Sequence, residues 1–261
     1  MGNLKKFILS FFIIFLFAGT SFSQSKFSLI LSGGYTAPLG NLHTEVPLVD
    51  SLREDWPYQM KVAYNLGAAG VFPITKQRNL NIMFGITYTA FSNSIDIIVP
   101  PGTGGIDAGA DTGTTITFNP KIHVFTLNLG LLYKFNLDKK LRPMLSFDFT
   151  GNFLSGTVDF SSSPSKLYTS TDIKSAFRGG IQFGAGLEYM VNDYFGLYGG
   201  MKYNFVNLIG KQADNSTQTV SIALGDKEHT ESGVTRSGKN ISYIQLSVGA
   251  SLYFQPPGEK K

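Results

Sequence analysis

The chain has 261 residues, of which 15% are charged and 13% aromatic, with 29 glycines, no cysteine and a formal net charge of +4. The length suits one domain, and so low a charged fraction, against about 25% in soluble domains, favours a lipid-facing protein. The lack of cysteine excludes disulfides, thiolate metal sites and lipid anchoring through that residue, and the small charge gives no reason to invoke nucleic acid.

Lys5 and Lys6 precede an apolar run over residues 7–18, broken only by Ser10, and then Gly19-Thr20-Ser21-Phe22-Ser23. That order of basic, apolar and small residues reads as a secretory signal peptide over 1–23, so that the mature chain starts at Gln24. An uncleaved anchor is the competing reading, but the run is short of the about 20 residues a spanning helix needs. The leader holds two of the 22 basic residues and none of the 18 acidic ones, which leaves +2 for residues 24–261.

From residue 27 on, apolar residues recur at every second position in eight stretches, the period that puts successive side chains on opposite faces of a strand. The first, near 27–37, sends Phe27, Leu29, Leu31 and Tyr35 to one face and Ser28, Ser32 and Thr36 to the other. The second, near 60–73, offers Tyr64, Leu66, Ala68 and Phe72, and the third, near 79–92, offers Leu80, Ile82, Phe84, Ile86 and Tyr88. The fourth, over 121–135, alternates best: His123, Phe125, Leu127, Leu129, Leu131, Tyr133 and Phe135 oppose Ile122, Val124, Thr126, Asn128, Gly130, Leu132 and Lys134. The fifth, near 141–157, sets Leu145, Phe147, Phe149 and Phe153 against Met144, Ser146, Asp148, Thr150 and Asn152. In the sixth, near 176–190, Phe177, Ile181, Phe183, Leu187 and Tyr189 oppose Arg178, Gln182, Glu188 and three glycines. The seventh, near 194–207, turns Phe195, Leu197, Met201, Tyr203 and Phe205 outward, and the eighth, near 241–254, Ile244, Leu246, Val248, Leu252 and Phe254.

The connections alternate in length. Thr75-Lys76-Gln77-Arg78, Asn136-Leu137-Asp138-Lys139-Lys140 and Asn192-Asp193 are short polar turns, while the other four links are long. Short periplasmic turns and long extracellular loops mark outer-membrane barrels, and so do aromatics gathered toward strand ends. These features predict an all-β fold, an eight-stranded antiparallel up-and-down transmembrane β-barrel over residues 24–254, its outer face to lipid and its inner face polar and small. A soluble eight-stranded barrel with aromatics in its core is the alternative. The final Gln255-Pro256-Pro257-Gly258-Glu259-Lys260-Lys261 cannot extend a ladder through its prolines and is expected to be a disordered periplasmic tail.

With Gly33-Gly34-Tyr35-Thr36-Ala37-Pro38-Leu39-Gly40 opening eight such strands, the mature chain resembles the outer-membrane protein β-barrel domain family, small barrels of the OmpA/OmpX type. The resemblance implies the barrel fold and a place in the cell outer membrane. It also implies that Ser247, Gly249, Leu252 and Phe254 in the last strand are read by the barrel-assembly machinery. It does not extend to a function, because members of the family have many roles.

Inward parity places Arg142, Glu188, Asp148, Lys202 and Arg178 in the lumen. With eight strands the interior is filled by side chains, so these charges are expected to pair as a structural plug, Arg142 with Glu188 and Asp148 beside Lys202. A narrow pore or ligand site is the competing reading. No convergent catalytic set is found: His43 and His229 fall in loops, His123 on the lipid-facing side, and a lipid hydrolase would need a Ser and an acid beside its His. Asp107 and Asp111, in a glycine-rich loop, fall short of a calcium cage. Trp56 and Tyr58 in the first loop either contact a partner or rest on the outer leaflet. The expectation is a non-enzymatic barrel without cofactor, meeting lipid, serving the envelope or binding a partner through its outer loops. An accessory subunit of a secretion or transport assembly comes second and a lipid-modifying enzyme third.

Overall fold

The computed structural model describes residues 27–42, 60–75, 77–99, 114–137, 139–163, 168–213, 221–222, 224–231 and 234–254. The leader, the tail after 254, His43, Trp56, Tyr58, Asp107 and Asp111 lie outside the described residues.

The alternation predicts the strands closely. They are β1 (Phe27–Gly40), β2 (Val62–Pro73), β3 (Leu80–Ser92), β5 (Thr114–Lys134), β6 (Leu141–Ser163), β7 (Tyr168–Met190), β8 (Phe195–Ile209) and β12 (Ile241–Phe254), with the short β4 (Ile95–Val99), β9 (Ser221–Ile222), β10 (His229–Glu231) and β11 (Val234–Arg236) between them. Sequential neighbours pair antiparallel, β12 returns to β1, and β3 pairs β5, so eight strands close in a ring with no free edge. Closure satisfies the ladders of the ring, which is the condition for a β structure to stand in lipid.

Three tight turns join the strands at one end. Arg78 N–H donates to Thr75 O at 2.9 Å and Lys139 N–H to Asn136 O at 2.9 Å. Arg78 and Asn136 take left-handed φ values of 62° and 50° to make these turns. In the third turn Asn192 Oδ1 accepts from the N–H groups of Tyr194 and Phe195, both at 2.9 Å.

The central strands run further than the sequence predicts. β5 begins seven residues before 121, β6 continues six past 157, and β7 begins eight before 176. β4 pairs the added part of β5, from Ile95 opposite Phe118 to Val99 opposite Thr114, and β9 lies parallel to β7. Ladder pairing therefore continues beyond the ring as an extension on one side of the outer end.

The two faces separate by parity. Leu31, Leu66, Leu129, Phe149, Phe183 and Leu246 are exposed on the outside, while Asn65, Asn128, Gln182, Asn204 and Gln245 are buried inside. Rings gather at both margins: Phe27 packs on Phe72 and Phe254 at 4.9 and 5.3 Å near the turns, and Phe153 on Phe177 at 4.9 Å toward the other end.

Candidate functional site

Whatever passes or binds through the ring must meet its interior. That interior is layered rather than uniformly polar, which corrects the expectation of a polar, small inner face. Toward the turns lies an apolar layer of Ile30, Val71, Met83, Leu132 and Met144, joined by Tyr198. Toward the loops lies a larger one that includes Phe91, Ile122, Val124, Leu154, Val206, Ile241 and Tyr243. These residues keep the inward parity but face other side chains instead of water, so burial tolerates apolar groups there.

Between the layers is a hydrogen-bonded polar belt. Gln182 Nε2 donates to Asn204 Oδ1 at 2.5 Å, Asn204 Nδ2 to Gln245 Oε1 at 3.2 Å, and Gln245 Nε2 to Thr89 Oγ1 at 3.0 Å. Lys202 Nζ joins through Gln182 Oε1 at 3.3 Å. Asp148 is fully buried on β6, yet its carboxylate and Asn128 Nδ2 have no hydrogen-bond partner among the described protein atoms. Gly130 makes room for it, since a Cβ there would collide with Asp148 and the Phe147 carbonyl. A cavity of about 40 Å³ lies between this belt and the turn-side apolar layer, lined by Asn128, Lys202 and Gln245 on one side and Met83, Leu132 and Met144 on the other. It has room for about three waters.

The expected partner of Glu188 is replaced. Arg142 and Glu188 do stand opposite each other in register. Arg142 instead turns to the loop between β5 and β6, donating from Nη2 to Leu137 O at 2.8 Å and from Nε to Lys139 O at 3.2 Å. Glu188 is bound by Lys134 Nζ at 3.3 Å and by Tyr253 OH at 2.5 Å, and Lys134 Nζ also contacts Tyr253 OH at 2.6 Å. The lumen is narrow enough for β5, β7 and β12 to meet across it, so adjacency in the ladder is a poor guide to pairing.

Arg178, 1% exposed, meets none of the other four expected charges. Its Nε and Nη2 grip the buried Asp226 at 2.8 Å each. Asp226 also accepts from Asn207 Nδ2 and Gln212 N–H, both at 2.9 Å. Burial alone would raise the Asp226 carboxyl, but these bonds, with Arg178 foremost, hold it below its ordinary value. Asp226 lies in a connection, where alternation carries no signal. With Leu224, buried in the outer apolar layer, it fastens the segment after β9 across the mouth.

On the outer face, His123 Nδ1 and Tyr88 OH share a hydrogen bond of 2.7 Å with their rings stacked at 5.9 Å. A phenol, not a carboxylate, holds this imidazole. Among the described residues no group of three or more His, Cys, Asp or Glu is placed to hold a metal ion.

A closed antiparallel ring with an apolar, aromatic-margined exterior and a packed interior defines a transmembrane β-barrel of the small outer-membrane type. No protein-family model matches the chain, and no curated protein matches it. Among solved structures it is similar to Neisserial surface protein A, at 13% identity and a TM-score of 0.45 over 87% of this chain and 97% of that one. It is also similar to a major outer membrane protein from Thermus thermophilus, at 16% identity and a TM-score of 0.42 over 88% and 99% of the two chains. The N-terminal β-barrel domain of Pseudomonas aeruginosa OprF is matched at 9% identity and a TM-score of 0.40, over 88% and 100%. At identities and scores this low, it is the chain's own ring of strands that defines the fold.

Proposed function

We propose that the chain is an integral, non-enzymatic protein of the cell outer membrane that serves the envelope or binds a partner on its extracellular side while its lumen stays shut. The observation that carries this reading is the filled interior. Two apolar layers, a polar belt and buried ion pairs near each end fill the ring, and the cavity between the belt and the turn-side layer, about 40 Å³, is too small for a hydrated solute to pass. Activity then falls to the surfaces outside the ring, as is usual for loops on a rigid scaffold. The extension formed by β4 with β5, β6 and β7 supplies such a surface. Single-channel recording in planar bilayers tests it: little or no steady conductance is expected, and a large, stable open level overturns the reading.

One observation favours the second reading, an accessory subunit of a secretion or transport assembly. Among the described residues the extension ends on β4, whose Ile95–Val99 pairs β5 at one edge, and an edge strand is a ready template for a partner strand. Recovery of a stoichiometric membrane partner after extraction in mild detergent supports this reading; recovery of the barrel by itself opposes it.

A further inference from the structure

The end of the barrel opposite the loops holds a recess of its own. A cavity of about 440 Å³ opens among the three short turns, and its lining includes Arg78, Lys134, Lys139, Lys140 and Arg142. The described acidic groups there are Asp193 in the lining and Glu188 just behind it, so five cations face two carboxylates. Asp138, in the same turn as Lys139, lies outside the described residues. The recess is a dead end: Lys134, Glu188 and Tyr253 close its floor, and the apolar layer around Met83 and Met144 lies behind them.

Two features set this apart from a scatter of surface lysines. The Arg142 guanidinium is clamped by two main-chain carbonyls of the turn, Leu137 O and Lys139 O, which spares the ordering cost when a ligand docks. Arg78 sits in the left-handed region at φ 62°, a conformation that side-chain-bearing residues seldom adopt. The turn thus accepts backbone strain and keeps a cation at this rim.

We propose that this periplasmic vestibule binds a multiply charged oxyanion of phosphate or carboxylate chemistry. Guanidinium forks match the paired oxygens of such groups, and ammonium groups add point charges. The volume falls in the range of small-ligand pockets and exceeds what a single halide fills. Two sources carry the same chemistry: a soluble periplasmic oxyanion, or the phosphate of an inner-leaflet lipid whose chains stay in the bilayer beside the Phe27 and Phe254 rings.

The test uses residues 24–261 folded in neutral maltoside micelles, with pyrophosphate titrated calorimetrically at low salt. Saturable binding near one per chain is expected, weakening as salt is added. Arg78→Gln combined with Lys140→Gln should lower affinity about tenfold or more, by loss of charge-assisted hydrogen bonds. Lys174→Gln combined with Lys211→Gln, at the other end, should leave it unchanged. Both pairs of substitutions alter exposed or half-exposed positions outside the lumen, and the electrophoretic shift of the folded barrel verifies them. In nanodiscs, loss of pyrophosphate binding with phosphatidylglycerol but not phosphatidylcholine assigns the site to a lipid headgroup; retention in both assigns it to a solute. No saturable binding in micelles, or equal weakening by the two pairs of substitutions, overturns the proposal.

Discussion

Each end of the lumen carries a buried ion pair, but the two pairs join different things. Near the turns, Lys134 and Glu188 come from β5 and β7, with Tyr253 of β12 between them. All three are already held by the closed ring, so the pair braces wall against wall. Near the loops, Arg178 of β7 reaches Asp226, which belongs to a connection. That pair fastens a segment with little ladder of its own, and Asn207 and Gln212 add to the same carboxylate. A charge pair between strands decorates a structure that exists without it, whereas a pair between wall and loop helps create the local structure it sits in.

Removing one partner of each pair breaks the comparison most directly. Arg178→Met leaves Asp226 buried without its cation, held only by the Asn207 and Gln212 donors, at a cost of about 3–5 kcal/mol. It should also free the segment around Leu224, measured as urea unfolding in vesicles together with faster proteolysis at residues 224–228. Lys134→Met should cost less, about 2–3 kcal/mol, because Tyr253 still donates to Glu188 and the closed ring holds both walls without the pair. Proteolysis of the outer segment should not change; equal costs and equal loosening for the two variants would erase the distinction between brace and fastener.

Acid sharpens it. Asp226 has a folded value held below the ordinary carboxylate range, so its contribution is complete above about pH 4, the unfolded value, and fades as pH falls through the depressed folded value. Proteolytic opening of the outer segment should therefore begin only below about pH 4, and Asp226→Asn should abolish that dependence. The smallest effect concerns the pair expected from the ladder. A double-mutant cycle on Arg142→Met and Glu188→Gln should give a coupling below about 0.5 kcal/mol, since their polar atoms engage other groups. The cycle on Lys134→Met and Glu188→Gln should give several times more.

Alternation makes the ring legible, and its reach ends where a residue's face no longer decides its neighbours. Leu129 and Leu246 outward, with Asn128 and Gln245 inward, follow from parity alone. Parity also places Met83, Leu132 and Met144 inward, but does not show that they form a layer, because packing depends on what stands across the lumen. Lys134 is visible as an inward cation, yet its union with Glu188 crosses β6, which no register on neighbouring strands reveals. Thr114–Pro120 alternates as well, Ile116 and Phe118 against Thr115, Thr117 and Asn119, but there the apolar side faces inward, with Phe118 buried in the outer apolar layer, so its parity is opposite to that of 123–135 and the two parts do not read as one strand. Of the candidate site, the charges are readable one by one; Asp226 is not, since a lone carboxylate in a polar connection carries no pattern.

The length of β6 and β7 also sets the height of the molecule above the membrane. Each has 23 residues, where a tilted strand crosses the bilayer in about 9–11. The surplus lifts their tips about 30 Å above the hydrocarbon at a rise of about 3.3 Å per residue and the usual tilt. On the far side β1, β2 and β12, with 14, 12 and 14 residues, stop soon after the bilayer. The rim is thus a slope with a stiff crest, and anything that meets the crest does so clear of the headgroup layer, at a standoff fixed by hydrogen-bonded backbone.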